Sequence, residues 1–493
     1  MFAIETIPLL LGLLAAGGVV LLTGGYMRRA AWRIGMLDSP KLRGVHGDTV
    51  ARSGGLTIAA GLFAALLVQL LASQALSVQS YLDEINHVYL LLPALAILAM
   101  GALDDIKGVG AIAKLAVQSM AGLWAWALGF SFDSFSLFGL PEVNTGLFSL
   151  PLTVLFIVAL TNAFNLIDGI DGLCAGAAFI GLCGIAASGF FGGSAEIALA
   201  LPLGVAALAF LRWNLGKPRA FLGDSGSTFL GFVTATLALR AVRTPEGAID
   251  LVPLFLLLSL PIVDVTVVFF RRIIQGRSPL RPDRGHIHHI ALWIFDGGSR
   301  RAAATLLAMA AIAAGASILT RFEPLFAAAA LALPLGLYAG VYFLGGYLSP
   351  RNLLAAGPAT DIAEVLSRIG ADNPMTALSD PKVLRLMSLL RLSSLALYDA
   401  DGARCWQLGA HHEHARALDV PLYAGGRVKC GWLALESRQS SRTSLAFAAH
   451  LLLPLFPVFM DALQLIEPAR NQAPSRRTQR IAERSRRGGT QPL

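Results

Sequence analysis

Apolar runs of 18 or more residues recur along the first 350 positions, and this recurrence constrains the fold more than any other feature. A run of about that length can cross a bilayer as a helix. The first, IPLLLGLLAAGGVVLLTGGY, has no basic segment ahead of it and ends at Gly24-Gly25 before MRRAAWR, which reads as an uncleaved helix rather than a signal peptide. Charged residues make up 14% of the 493-residue chain, against roughly 25% in soluble domains. The chain therefore reads as an all-α polytopic membrane protein. Eleven spans are expected, centred near residues 15, 64, 96, 121, 154, 182, 203, 232, 260, 312 and 336.

The connections between these runs sort by charge. Segment 26–54 carries Arg28, Arg29, Arg33, Lys41, Arg43 and Arg52, and segment 271–302 carries seven arginines, among them Arg277, Arg281 and Arg284. Segments 74–87, 131–146 and 192–196 carry no Lys or Arg. The positive-inside rule then places the N-terminus outside and the basic loops in the cytoplasm. An odd number of spans places the C-terminus inside as well.

Five polar segments interrupt the apolar pattern, all at the cytoplasmic ends of spans. They are RGVHGDTVARSGG (43–55), GALDDIKGVGAIAKLAVQ (101–118), NAFNLIDGIDGLCAG (162–176), RWNLGKPRAFLGDSGSTFLG (212–231) and RSPLRPDRGHIHH (277–289). Parity does not force them onto one face, so their agreement points to one shared site. Five aspartates stand in them: Asp104, Asp105, Asp168, Asp171 and Asp224. Ionisable side chains at membrane depth are costly and mark cavities or functional sites. Five acids in one cavity would raise one another's pKa values unless a cation compensates. Mg²⁺ suits that role, because it prefers carboxylate oxygen and leaves water positions open for phosphates; Mn²⁺ is the substitute ion. Lys114, Lys217, Arg219, Arg281 and Arg284 lie near the same face. Carboxylates with a divalent cation, plus Lys and Arg, form the composition of a phosphate or pyrophosphate site.

The glycines of GDSGS and DGIDGL allow close backbone approach to a ligand, and a helix starting after them offers its positive end to phosphate. Phe221, three residues before Asp224, is read either as a stacking partner for a nucleobase or as a packed core residue. The run His286, His288 and His289 suits phosphate contact better than zinc, since no acid or cysteine stands at usual ligand spacing. A solvated loop is the plainer reading. The four cysteines form no CxxC pair and read as small buried apolar residues.

Taken together, the segments resemble the polyprenyl-phosphate N-acetylhexosamine-1-phosphate transferases (glycosyltransferase family 4). The resemblance covers roughly residues 1–350. It is carried by the Asp104-Asp105 pair with Lys114 and Gln118 downstream, by N-x-x-D-G-x-D-G-L, by N-x7-F-x-G-D-x-G-S and by P-D-R-x-H-I-H-H, in the family's order. It implies attack of undecaprenyl phosphate on the β-phosphate of a UDP-N-acetylhexosamine. UMP would leave, and the product would start a lipid-linked envelope polysaccharide such as O-antigen. By motif, Asp224 would hold the metal, and Asp104 and Asp105 would act as lipid-phosphate or base site, with metal binding as their alternative role. Asn165, Asp168 and Asp171 would line the nucleotide site, and Asn214 and Phe221 would hold and stack the uracil. Lys114 would contact phosphate. His286, His288 and His289, with Arg281 and Arg284, would hold the sugar or pyrophosphate end. The histidine run resembles the GlcNAc-1-phosphate branch, which makes UDP-GlcNAc the expected donor and another UDP-N-acetylhexosamine the alternative. The first loop departs from the family, with Thr49 and Ala51 where prolines often stand, and this bears on His46 and Arg52.

Composition changes after about residue 350. Segment 351–468 reads as a small α+β cytoplasmic domain: helix over 358–395, four strand-like pieces with a turn at Gly425-Gly426, then the apolar stretch SLAFAAHLLLPLFPVFMDALQLIE. Its order resembles part of a GAF-type sensory domain. Pro454, Pro457, His450 and Asp461 interrupt the stretch, which reads as a buried or interfacial helix rather than a twelfth span. The cluster His411 to His414 reads as an exposed loop. Residues 469–493, with seven arginines in RNQAPSRRTQRIAERSRRGG, read as a disordered tail drawn to anionic lipid. A transporter would place its acids near the midplane and show paired halves, which this sequence lacks. A degenerate membrane sensor would have lost an acid, and all five are present. A bacterial inner-membrane location, membrane lipids as partners, no nucleic acid and a homodimer complete the expectation.

Overall fold

The computed structural model describes residues 6–38, 49–77, 89–192, 196–275, 285–295, 298–322, 326–347, 350–410, 415–424, 428–438, 440 and 442–466. The membrane part is helical: α1 (Ile7–Ile34), α2 (Gly54–Leu76), α3 (Leu91–Lys107), α4 (Ala111–Ala127), α5 (Ser149–Ile167), α6 (Leu173–Gly192), α7 (Ile197–Asn214) and α8 (Gly223–Ala241). After them come α9 (Leu251–Leu257), α10 (Ser259–Ile274), the short α11 (Ile287–Ile294), α12 (Ser299–Phe322) and α13 (Ala327–Leu344). Short strands β1 (Leu37–Asp38) and β2 (Val50–Ala51) pair at the end that carries the polar segments. Strands β3 (Ser134–Ser136), β4 (Val143–Asn144) and β5 (Ile249–Asp250) form a small sheet in the order β4-β3-β5.

All eleven expected span centres fall within helices. Among the described residues, seven helices pass as membrane spans by length and composition, and the α9–α10 pair, bent by 93°, makes an eighth if it is one span. Helices α3 and α4 have 17 residues each. Helix α8 is rich in Ser and Thr because it does not face lipid. It is packed by α2, α3, α5 and α6, and its side chains from Ser225 to Leu239 are all buried. Glycines make that encasement possible, as small residues do where membrane helices approach closely. A Cβ on Gly101 of α3 would stand 2.5 Å from Ser225 Cα, and one on Gly231 of α8 would stand 2.8 Å from Phe164 Cβ.

Beyond the membrane part, α14 (Pro350–Asp372), α15 (Pro374–Ser379) and α16 (Lys382–Leu389) lead into β6 (Ser394–Asp399), β7 (Arg404–Gly409), β8 (Arg416–Ala424) and β9 (Val428–Ser437). These form an antiparallel sheet in the order β7-β6-β9-β8. Helices α17 (Arg442–Leu451) and α18 (Phe456–Ile466) pack on it. The apolar stretch here is two short helices separated by a 3-10 turn at Leu453–Leu455, with Leu445, Phe447, Phe459 and Leu463 buried. Neither helix is long enough to cross a bilayer. His411 to His414, Gly425-Gly426 and the tail 469–493 lie outside the described residues.

Candidate active site

The start of α8 organises the site. Gly223 takes φ +74, and the chain then enters the helix with its first amide groups aimed at Asp105 of α3. Asp105 accepts from the backbone N–H of Asp224 at 2.9 Å and of Ser225 at 3.0 Å, a cap supplied by another helix. Its side chain is fully buried, and one oxygen also lies 3.4 Å from an Arg52 nitrogen. The other guanidinium nitrogen of Arg52 donates to Asp38 at 2.6 Å. Arg52 thus belongs to the site although the first loop departs from the family pattern. Asp38 went unseen in the sequence, because nothing in MLDSP marks it.

Asp104, one residue earlier, faces a different set of groups. It accepts from the Val109 backbone N–H at 2.5 Å and pairs with Lys114, whose ammonium also reaches Asp224 Oδ2 at 2.6 Å. One lysine in the first turn of α4 therefore bridges two carboxylates. Asn165, at the end of α5, donates to the same Asp224 oxygen at 3.3 Å and accepts from Ser227 at 2.8 Å. Behind it, Gln118 and Asn162 exchange amide hydrogen bonds, with Asn162 Nδ2 donating at 2.7 Å.

A cavity of about 450 Å³ opens beside these groups, lined by Asp38, Arg52, Asn165, Asp168, Gly169, Ile170, Asp171, Asn214, Phe221, Gly223 and Asp224. Asp168 and Asp171 sit on the 168–172 turn between α5 and α6, where Gly172 takes φ +81. Burial, then the charges of Asp224, Asp105 and Asp171, pushes the Asp168 carboxyl well above the usual carboxylate range. Phe221 stands on the wall, its backbone tied to β2 and to the start of α2: its N–H donates to Ala51 at 2.8 Å and its carbonyl accepts from Gly54 at 2.9 Å. Asn214 uses both ends of its amide on the backbone, accepting from Gly172 N–H at 2.6 Å and donating to the Ala220 carbonyl at 3.1 Å. It ties the aspartate turn to the strand-like entry into α8.

The histidine segment meets the same turn. His288 is buried, and a Cβ on Gly169 would collide with its ring. Burial, together with His289 and His286, holds the His288 imidazole well below its ordinary pKa, so it is neutral at pH 7. His286 and His288 rings lie nearly parallel with centroids 5.8 Å apart, and His289 follows at 4.2 Å. Arg281, Arg284 and His46 lie outside the described residues.

The site thus places Asp38, Asp168, Asp171, Asp224 and Arg52 on the cavity wall, with Asp105 bonded to Asp224 and Arg52, and Asp104 joined to Asp224 through Lys114. Among the described residues, no three His, Cys, Asp or Glu side chains converge to hold a metal by themselves. The donor set still suits Mg²⁺, which uses one or two carboxylates and completes its shell with water and substrate phosphates. Chemically, the arrangement can receive an anionic phosphate group beside a row of fixed cations and amide donors.

A family model described as glycosyl transferase family 4 matches residues 87–242. The chain is 35% identical over 272 residues to a probable undecaprenyl-phosphate N-acetylglucosaminyl 1-phosphate transferase of Bacillus subtilis, covering 55% of this chain and 73% of the relative. It is 30% identical over 336 residues to an undecaprenyl-phosphate alpha-N-acetylglucosaminyl 1-phosphate transferase of Escherichia coli K12, covering 66% of this chain and 87% of the relative. A protein of the same description from Yersinia pestis is 30% identical over 298 residues, covering 58% of this chain and 76% of that protein.

Proposed function

The chain belongs to glycosyl transferase family 4, and from that premise we propose that it moves N-acetylglucosamine 1-phosphate from UDP-GlcNAc to undecaprenyl phosphate. The observation that carries this reading is the meeting of three polar segments at the end of a helical membrane bundle: Asp168, Asp171 and Asp224 line one cavity, and Lys114 joins Asp224 to Asp104. A phosphate oxygen of the lipid attacks the β-phosphorus of the nucleotide sugar. The bond from that phosphorus to the bridging oxygen of UMP breaks, and UMP leaves with the electron pair. The new pyrophosphate bond links lipid and sugar.

The chain's own residues position and neutralise. Asp171, Asp168 and Phe221 bound the space for the nucleotide, where the Phe221 ring would stack on the uracil. Lys114 steadies Asp104 and Asp224 and lies within reach of a phosphate. Asp105 is structural: its oxygens are spent on the start of α8 and on Arg52. Mg²⁺, with Mn²⁺ as substitute, would be held by Asp224 and Asp104 and would neutralise charge on the pyrophosphate. Catalysis is then mainly positioning and electrostatic stabilisation. The basic loops support a reading in which the site faces the cytoplasm at a bacterial inner membrane.

The test uses membranes containing the protein, undecaprenyl phosphate, Mg²⁺ and labelled UDP-GlcNAc. Lipid-linked label with release of UMP, both lost in Asp224→Asn, supports the reading. Label only with a different UDP-N-acetylhexosamine corrects the donor. No product with any donor from folded protein overturns it.

A further inference from the structure

Asp264 lies on α10, outside the five polar segments, and it does not line the cavity. It is 1% exposed. A carboxylate so buried needs partners, and it takes them from two successive residues of the histidine segment. Oδ2 is 2.7 Å from His286 Nδ1, and Oδ1 accepts from the backbone N–H of Ile287 at 2.6 Å. The Tyr342 hydroxyl approaches Oδ1 at 3.5 Å. Arg271, two turns further along the same face of α10, stacks over Tyr347 at 5.1 Å and abuts Gly285, so the segment is held from both sides of His286.

We propose that Asp264 is a positioning residue for the histidine segment, fixing His286 with its hydrogen on Nδ1 and pinning the start of α11 against the aspartate turn. A carboxylate only accepts, so the imidazole nitrogen facing it carries the hydrogen. The His286 ring in turn stacks on His288, and His288 bears on Gly169 between Asp168 and Asp171. Asp264 therefore sets the position of the histidines relative to the cavity without touching it. An acid that orients a histidine in this way is worth orders of magnitude in some enzymes, because its amide counterpart permits the wrong tautomer. The inference deepens the transferase reading and rests on it.

Asp264→Asn keeps the size of the side chain, and its carbonyl still accepts from Ile287, but its NH₂ then faces His286. Turnover is expected to fall between about tenfold and about 1,000-fold, with KM for UDP-GlcNAc changed less than about threefold. Asp264→Glu should recover part of the loss. In a His286→Ala background Asp264→Asn should add little, since the two act as a unit. The tautomer is read directly from ring ¹⁵N signals of histidine-labelled protein, with His286 assigned by its disappearance in His286→Gln. Hydrogen on Nδ1 in the wild type, lost in Asp264→Asn, is the expected result. Hydrogen on Nε2 in the wild type, unchanged turnover in Asp264→Asn, or losses that multiply with His286→Ala overturn the proposal. The wild-type spectrum needs no variant to fold. If the wild type makes no product with any donor, the transferase reading fails on its own, and the spectrum alone decides whether Asp264 fixes the ring.

Discussion

Lys114 reaches across from the first turn of α4 to hold Asp224 at 2.6 Å while pairing with Asp104, so a single ammonium keeps two carboxylates of different helices together. Lys114→Met leaves those acids facing each other in a partly buried place. Turnover is expected to fall about 100-fold, while half-saturation by Mg²⁺ moves to lower concentration because a competing positive charge is gone. Lys114→Arg should keep part of the activity. A titration of UMP release against Mg²⁺ checks both parts, and a Lys114→Met enzyme of normal rate would remove Lys114 from the mechanism.

Helix crossings around α8 depend on the absence of side chains. Gly101→Val puts atoms where Ser225 Cα stands, and overpacking of this kind costs about 1–3 kcal/mol. Gly336→Val on α13 meets open space, with nothing within 4 Å of its Cβ. Thermal unfolding in detergent should show a clear drop for the first and little for the second.

His288 makes stability depend on pH. Unfolded, its imidazole protonates near pH 6.5; folded, burial and then His289 and His286 hold it well below that. Above about pH 6.5 neither state carries the proton. Below it the unfolded state binds a proton that the folded state resists, so stability falls as pH falls. The unfolding midpoint should drop between about pH 7.5 and about pH 5.5, and drop less in His288→Gln. Equal drops in both proteins would place the sensitivity elsewhere.

Asn214 should matter to nucleotide affinity through architecture. Asn214→Ala leaves the buried Gly172 N–H and Ala220 carbonyl without their partner, at about 1–3 kcal/mol for an unsatisfied group. The turn bearing Asp168 and Asp171 then loosens from the opposite wall. The KM for UDP-GlcNAc is expected to rise more than kcat falls. The opposite split would point to direct contact with the reacting phosphates.

Much of the site was legible because its motifs sit where apolar runs stop, and an acid there has few reasons to exist. The convergence of Asp104, Asp168 and Asp224 follows from that logic. The division between Asp104 and Asp105 was not legible, since adjacent helix positions point about 100° apart and only packing decides which meets the start of α8. Asp38 and Asp264 escaped for a related reason. Each is a lone acid in an ordinary stretch, and its meaning comes from a partner outside that stretch: Arg52 for one, His286 for the other. The mixed character of α8 also misleads a reader of composition. Its Ser and Thr residues look like weak membrane-span chemistry, yet they belong to the most enclosed helix of the bundle.

That enclosure has a consequence for the setting in which the protein works. Bilayers differ in thickness, and lipid-facing helices answer by tilting or by thinning the lipid around them. Helix α8 is shielded from lipid by its neighbours along its buried length. The depth of Asp224 is therefore fixed by protein contacts rather than by acyl chains, so growth conditions that lengthen or shorten the lipids should shift the outer helices while leaving the reacting groups level with one another.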